Sequence, residues 1–181
     1  MKKRIAALLL VCLVLFSSSA LALADYGAYF RANQRIATRN GPGTQYRGCA
    51  TYNLQGQQVH LLSYEYDKNN VCWVEFEFFY KGSPMRLYTG LKRFDATTYD
   101  LYQNDVFEKY PLGFTTRVIK TCRAKFGPGE EYTTYDQLTI DKGQTVKIIS
   151  LEKDWLEVEW TTTKQSYRAW MPKTAIADDI W

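Results

Sequence analysis

The chain states one pattern twice. Thr38-Arg39-Asn40-Gly41-Pro42-Gly43-Thr44-Gln45-Tyr46 returns as Ala124-Lys125-Phe126-Gly127-Pro128-Gly129-Glu130-Glu131-Tyr132, an offset of 86 residues. Gly56-Gln57-Gln58-Val59-His60-Leu61-Leu62-Ser63 returns as Gly143-Gln144-Thr145-Val146-Lys147-Ile148-Ile149-Ser150 at an offset of 87. Trp73-Val74-Glu75-Phe76-Glu77 returns as Trp155-Leu156-Glu157-Val158-Glu159 at an offset of 82. Three matches in one order, at nearly one spacing, imply an internal duplication. Loops of different length account for the drift. Two copies of a small β unit rarely share one catalytic pocket, so the repeat favours binding or scaffolding over chemistry.

Within each copy the apolar period is two. Trp73, Glu75 and Glu77 alternate with Val74, Phe76 and Phe78, and Glu157 and Glu159 alternate with Leu156, Val158 and Trp160. That alternation, rich in aromatic and β-branched residues, predicts strands. Gly-Pro-Gly, Asp67-Lys68-Asn69-Asn70, Tyr80-Lys81-Gly82-Ser83-Pro84 and Asp141-Lys142-Gly143 supply the turns. The expected fold is all-β: two small, partly open barrels in tandem, each of about five strands. The expected division is residues 25–97 with a short lead-in, a connector over residues 98–113 with a helical turn near 106–110, and residues 114–181 with a short tail.

Residues 1–24 read as an export signal. Lys2, Lys3 and Arg4 precede an apolar run over residues 5–16, and Ala22-Leu23-Ala24 places small residues where a signal peptidase reads. The run is shorter than the roughly 20 residues a membrane span needs, so no transmembrane segment is expected after signal removal. Removing the signal takes Lys plus Arg from 23 to 20 against 19 Asp plus Glu, leaving about +1. A near-neutral chain builds no field for a polyanion, which argues against nucleic acid. Export permits disulfides. Of the three remaining cysteines, Cys49 and Cys72 lie in the first copy and are the expected pair, with Cys122 left as a buried thiol or a link between chains. Three cysteines and a single histidine without CxxC make no metal site, and no cofactor is expected.

The two runs Ile36 through Tyr46 and Cys122 through Tyr132, each followed by a Gly-x-x-Val type strand and a Trp strand, resemble bacterial SH3 (SH3b) domains. Ala169-Trp170-Met171 resembles that family's closing segment in the second copy, whereas Thr89-Gly90-Leu91 in the first lacks the closing Trp. The resemblance implies two SH3-like barrels in a secreted or wall-associated protein of a Gram-positive bacterium. It also implies a noncatalytic protein that binds cell-wall peptidoglycan or a peptide at the cell envelope. The alternative is a secreted structural or protein–protein interaction module without wall affinity.

The candidate ligand residues follow from the turns. Pro fixes one φ and a flanking Gly permits a sharp reversal, so the Gly-Pro-Gly loop is either a rigid turn alone or one wall of a groove. As a wall it would carry Arg39 and Tyr46 in the first copy and Lys125 and Tyr132 in the second. Trp73 and Trp155 begin their strands on the face of the paired glutamates, which alternation places in water, and serve either as contacts or as covers of a barrel end. Trp170 is the closing aromatic, a packing residue or a further contact. A catalytic reading has little to stand on. His60 and its repeat mate Lys147 are expected to face solvent, and a general base needs an orienting partner and a nucleophile within reach. Glu75 with Glu77, and Glu157 with Glu159, are expected as solvated charges.

Overall fold

The computed structural model describes residues 25–177. The expected export signal, and the tail residues 178–181, lie outside the described residues. The fold is all-β, in two mainly antiparallel sheets. The first contains β1 (Ala28–Arg31), β2 (Ile36–Arg39), β3 (Gly48–Tyr52), β4 (Gln58–Tyr66), β5 (Cys72–Tyr80), β6 (Ser83–Gly90) and the short β7 (Phe107–Glu108). The second contains β8 (Thr115–Arg117), β9 (Cys122–Lys125), β10 (Thr134–Ile140), β11 (Thr145–Glu152), β12 (Trp155–Thr161) and β13 (Ser166–Pro172).

The duplication is visible strand by strand. The first sheet runs β1-β4-β5-β6-β2-β3 and the second β8-β11-β12-β13-β9-β10, so the two orders are the same. Each carries a bulge at one equivalent place, between Leu61 and Ser63 in β4 and between Ile148 and Ser150 in β11. The extra apolar residue that breaks the alternation in both copies, Leu62 and Ile149, is the bulged position. Each sheet ends in a 3-10 turn, Leu91–Arg93 and Lys173–Ala175.

Alternation places one face of each central strand in a core. Val59, Leu61, Val74, Phe76 and Leu87 pack in the first unit, and Val146, Ile148, Leu156, Val158 and Met171 in the second. Cys49 and Phe126 touch both cores, so the two units meet. Main-chain bonds cross the same seam in a symmetric pair: Thr133 N–H donates to the Pro84 carbonyl at 3.1 Å, and Arg47 N–H donates to the Ser166 carbonyl at 3.1 Å.

The connector departs from expectation. A helix, α1 (Thr98–Gln103), forms upstream of the predicted turn and starts on a capping box between Thr97 and Asp100. This arrangement satisfies two end donors at once. The stretch expected as a helical turn is instead extended, with β7 pairing in parallel with β4 at Ser63 and Tyr64. Val106 and Leu101 are buried in the first core, so the connector is part of that core's wall.

The repeated Gly-Pro-Gly-x-x-Tyr has a packing cause. A methyl group on Gly41 would come within 2.3 Å of the Tyr46 ring, and one on Gly127 within 1.9 Å of the Tyr132 ring. Each glycine lets its tyrosine lie flat on the turn and aim its hydroxyl across the seam. Gly127→Ala should therefore cost about 1–3 kcal/mol by overpacking, seen as a lower urea midpoint. Gly48→Ala, whose added methyl meets nothing within 4 Å, is the control and should leave the midpoint nearly unchanged.

Candidate functional site

The second faces of β5 and β12 are largely withdrawn from water. Glu75, Glu77 and Glu157 are buried, because each unit covers the other's polar face. Arg86 of β6 bonds Glu77 of its own unit through Nε at 2.9 Å and Glu152 of the other unit at 2.6 and 3.0 Å. Arg168 of β13 repeats the arrangement, bonding Glu159 of its own unit at 2.8 Å and Glu65 of the other with both terminal nitrogens. The tyrosines complete the symmetry: Tyr132 donates to Glu77 across the seam, and Tyr46 donates to Glu159.

On the approximate two-fold axis sits Lys109, supplied once by the connector. Its Nζ donates to Glu75 at 2.5 Å and Glu157 at 3.0 Å. Ser63 and Ser150 donate to the same two carboxylates, each at 2.9 Å. Tyr88 donates to Glu157 at 2.8 Å. Burial opposes the Lys109 charge, but Glu157 and Glu75 outweigh it and raise its pKa. Burial also lifts Glu157, yet Lys109 and Arg168 overcome that and hold it at about 2. Glu75 goes the other way, raised by burial and by the neighbouring Glu157. The tyrosine hydroxyls are pushed up by burial and stay protonated donors. A cavity of about 10 Å³ lies among Glu75, Arg86, Tyr88, Glu157 and Arg168, room for roughly one water and for no substrate.

This seam takes up three of the seven residues expected to meet a ligand. Tyr46 and Tyr132 are buried donors within it, which corrects their placement on a groove. Trp170 is buried with the Arg86 guanidinium 5.5 Å over its ring. Its equivalent in the first unit is Tyr88, since Trp170 pairs with Lys125 and Tyr88 with Arg39. The closing aromatic is therefore present in both copies. Lys125 is buried rather than presented, bonding the Glu130 carbonyl at 2.6 Å and carboxylate at 2.8 Å, with Trp155 5.8 Å from its Nζ. Lys125 is thereby a brace of its own turn, and Trp155 is half-buried against it.

Two expected residues do come together. Arg39 and Trp73 line one open cleft of about 570 Å³, joined by Thr51, Lys92 and Arg93. Arg39 is half-buried and donates to the Thr44 carbonyl at 3.1 Å and the Tyr46 carbonyl at 2.5 Å, holding the Gly-Pro-Gly loop. Trp73 is mostly buried, its indole N–H donating to Asp67 at 3.0 Å. Asp67 also accepts from the Asn69 and Val71 amides, so its charge is engaged in the turn and the free charges of the cleft are basic.

The expected Cys49–Cys72 bond is not formed: Cys49, Cys72 and Cys122 are all free thiols. Spacing gives loop length and not strand order. Cys49 lies on edge strand β3, separated from β5 and its Cys72 by β6 and β2, and the Cys49 thiol instead meets the Tyr135 hydroxyl at 3.4 Å. Burial raises the Cys72 thiol to about 12 and that of Cys122 to about 11, so neither is an activated nucleophile. His60 is buried rather than solvent-facing, stacked on Tyr29 with ring centroids 4.7 Å apart. Burial lowers its pKa. Among the described residues no helix is long and apolar enough to cross a membrane.

The sequence carried a signal for the seam. Arg86 and Arg168 repeat at the same 82-residue offset as Glu77 and Glu159, the glutamates that each binds in its own unit. Lys109 has no repeat mate and left no such mark. No family model, curated protein or solved structure matches the chain.

Lys109→Met tests the axis. Leaving two buried carboxylates without their cation should cost about 3–5 kcal/mol near neutral pH. In the variant both carboxyl pKa values rise above the ordinary value of about 4.3, so the folded form takes up protons as pH falls and the deficit shrinks toward about pH 4.5. In the wild type Glu157 has the opposite sign. Its contribution is complete above the ordinary carboxyl value and is lost as pH falls toward about 2. Urea midpoints of both proteins across that range check this, and a deficit that does not change with pH contradicts it.

Proposed function

We propose that the chain is a noncatalytic binding protein of the cell envelope, built from two SH3b-like units whose sheets curl into small barrels. Its ligand is cell-wall peptidoglycan or a peptide, held in the cleft of the first unit. The observation that carries this reading is the meeting of Arg39 and Trp73 in one cleft with Lys92 and Arg93. Basic side chains suit the carboxylates of a peptide stem, and an indole edge suits a sugar ring or an apolar side chain. The resemblance to SH3b domains supports the same ligand class. A second reading, a secreted structural or protein-interaction module without wall affinity, is favoured by one observation. Lys125, Tyr132 and Trp170 are spent inside the molecule and leave the second unit without the matching surface.

Cosedimentation of the chain with purified peptidoglycan separates the two. Lys92 is exposed, so Lys92→Glu should leave folding intact and weaken binding about fivefold, equivalent to ~1 kcal/mol. Thr51→Trp, which places bulk in the cleft, should weaken it further. No binding by the wild type leaves the interaction-module reading. Binding that neither substitution changes places the wall contact on another surface.

A further inference from the structure

The two units differ at one edge. In the first, β1 covers the outer edge of β4 up to Leu61, and β7 then continues along it in parallel at Ser63 and Tyr64. The Lys109 amide donates to the Tyr64 carbonyl at 2.8 Å. In the second, β8 covers β11 up to Lys147, and Leu112 and Gly113 carry the cover to Ile149 and Ile148. There it stops. Among the described residues no strand pairs with the edge of β11 that faces away from β12 at Ser150 and Leu151, the positions equivalent to Ser63 and Tyr64 at the 87-residue offset. The consequence shows in exposure: Tyr64 is 9% exposed and Leu151 is 41% exposed.

The open edge faces a groove. A cleft of about 590 Å³ runs beside Leu151, walled by Leu112, Phe114, Ile149 and Tyr110. Leu112 and Phe114 are 47% and 54% exposed. These side chains stand beside an unpaired main-chain edge, an arrangement that a soluble protein normally blunts or covers.

We propose that this edge binds an extended peptide strand of a partner protein, added in parallel to β11 at residues 150–152 as β7 is added to β4. The occupant is specified by the copy that is filled. It is a short strand with a carbonyl and an amide for Leu151 and an apolar side chain for the wall of Leu112 and Phe114, as Val106-Phe107-Glu108-Lys109 provides for the first unit. Leu151 corresponds to Tyr64, so its N–H and C=O both point away from β12 and are the groups such a strand would bond. Main-chain bonds supply affinity in this mode and the apolar wall supplies selectivity. The site lies apart from the Arg39–Trp73 cleft, shares none of its lining residues, and stands or falls independently of peptidoglycan binding.

The test uses a capped synthetic peptide with the sequence of residues 104–111, added in trans to the full chain, with amide exchange followed residue by residue. The expected result is new protection of the Leu151 amide on adding peptide. Leu151→Pro removes that outward donor without touching the ladder to β12 and should weaken binding at least tenfold. Phe114→Glu, a change at an exposed side chain, should weaken it similarly and covers the case in which the proline variant fails to fold. No protection at millimolar peptide overturns the proposal. So does a change confined to Ser63 and Tyr64, which would mean exchange of β7 itself. Protection of Leu151 in the peptide-free chain that grows with protein concentration, together with a dimer in sedimentation velocity, would make the occupant a second copy and overturn it as well.

Discussion

Arg86 and Arg168 are buried between the two sheets, and each finds its partners on both sides of the seam. Taking such charges out of water costs several kcal/mol apiece, and that cost is offset only when every donor has an acceptor. Neither unit can meet this condition alone. Arg86 needs Glu152, and Glu77 needs Tyr132; Arg168 needs Glu65, and Glu159 needs Tyr46. Pairing thus fixes the register of the seam, since a slip of one unit on the other strands charges in a low-dielectric space. The seam therefore specifies orientation more than it adds stability, a use to which buried ion networks are suited.

The arrangement also solves a shortage of cations. Six carboxylates, of Glu65, Glu75, Glu77, Glu152, Glu157 and Glu159, meet three cations, Arg86, Lys109 and Arg168. Neutral hydroxyls make up the difference. Tyr26, Tyr46, Tyr88 and Tyr132 each donate to one of these carboxylates, and Ser63 and Ser150 add two more donors. A hydroxyl stabilises a buried carboxylate without adding a charge that must itself be compensated. Four of the chain's 14 tyrosines serve the seam in this way. The upward displacement of the tyrosine pKa values, driven first by burial, keeps those protons in place through neutral pH.

What could be read in the sequence follows from these forces. Period-two alternation and the repeated turn chemistry were enough for the central strands and the all-β class, because those depend on local pattern, but not for β7, which pairs with a distant edge. Alternation also placed Glu75, Glu77, Glu157 and Glu159 on one face. It could not say that the face is dry, since water and another unit's polar face favour the same residue types. The arginines at a matching offset were the available clue. Lys109 was out of reach, because a residue on the axis of a duplicated structure has no counterpart by which to be noticed. The cysteines failed for a different reason: 23 residues of separation closes a plausible loop, but β6 and β2 come between their strands. The cleft was half legible, as Arg39 and Trp73 were found from the loop and strand motifs whereas Lys92 and Arg93 sit in a 3-10 turn that carries no repeat signal.

The contact pattern across the seam is that of an isologous dimer, in which one residue touches a second and the second's equivalent touches the first's. Here both halves lie in one chain, and that changes what the interface can hold. A two-fold assembly of separate chains must place any axial side chain twice or not at all. A connector crosses the axis once, and so can deliver a single ammonium between Glu75 and Glu157. The same crossing makes the halves unequal. The connector spends β7 on the edge of β4 on its way to the axis, then turns along β11 only as far as Ile149. One pass of one strand cannot cover two equivalent edges. The buried lysine that completes the seam and the bare edge at Leu151 are two results of one covalent path.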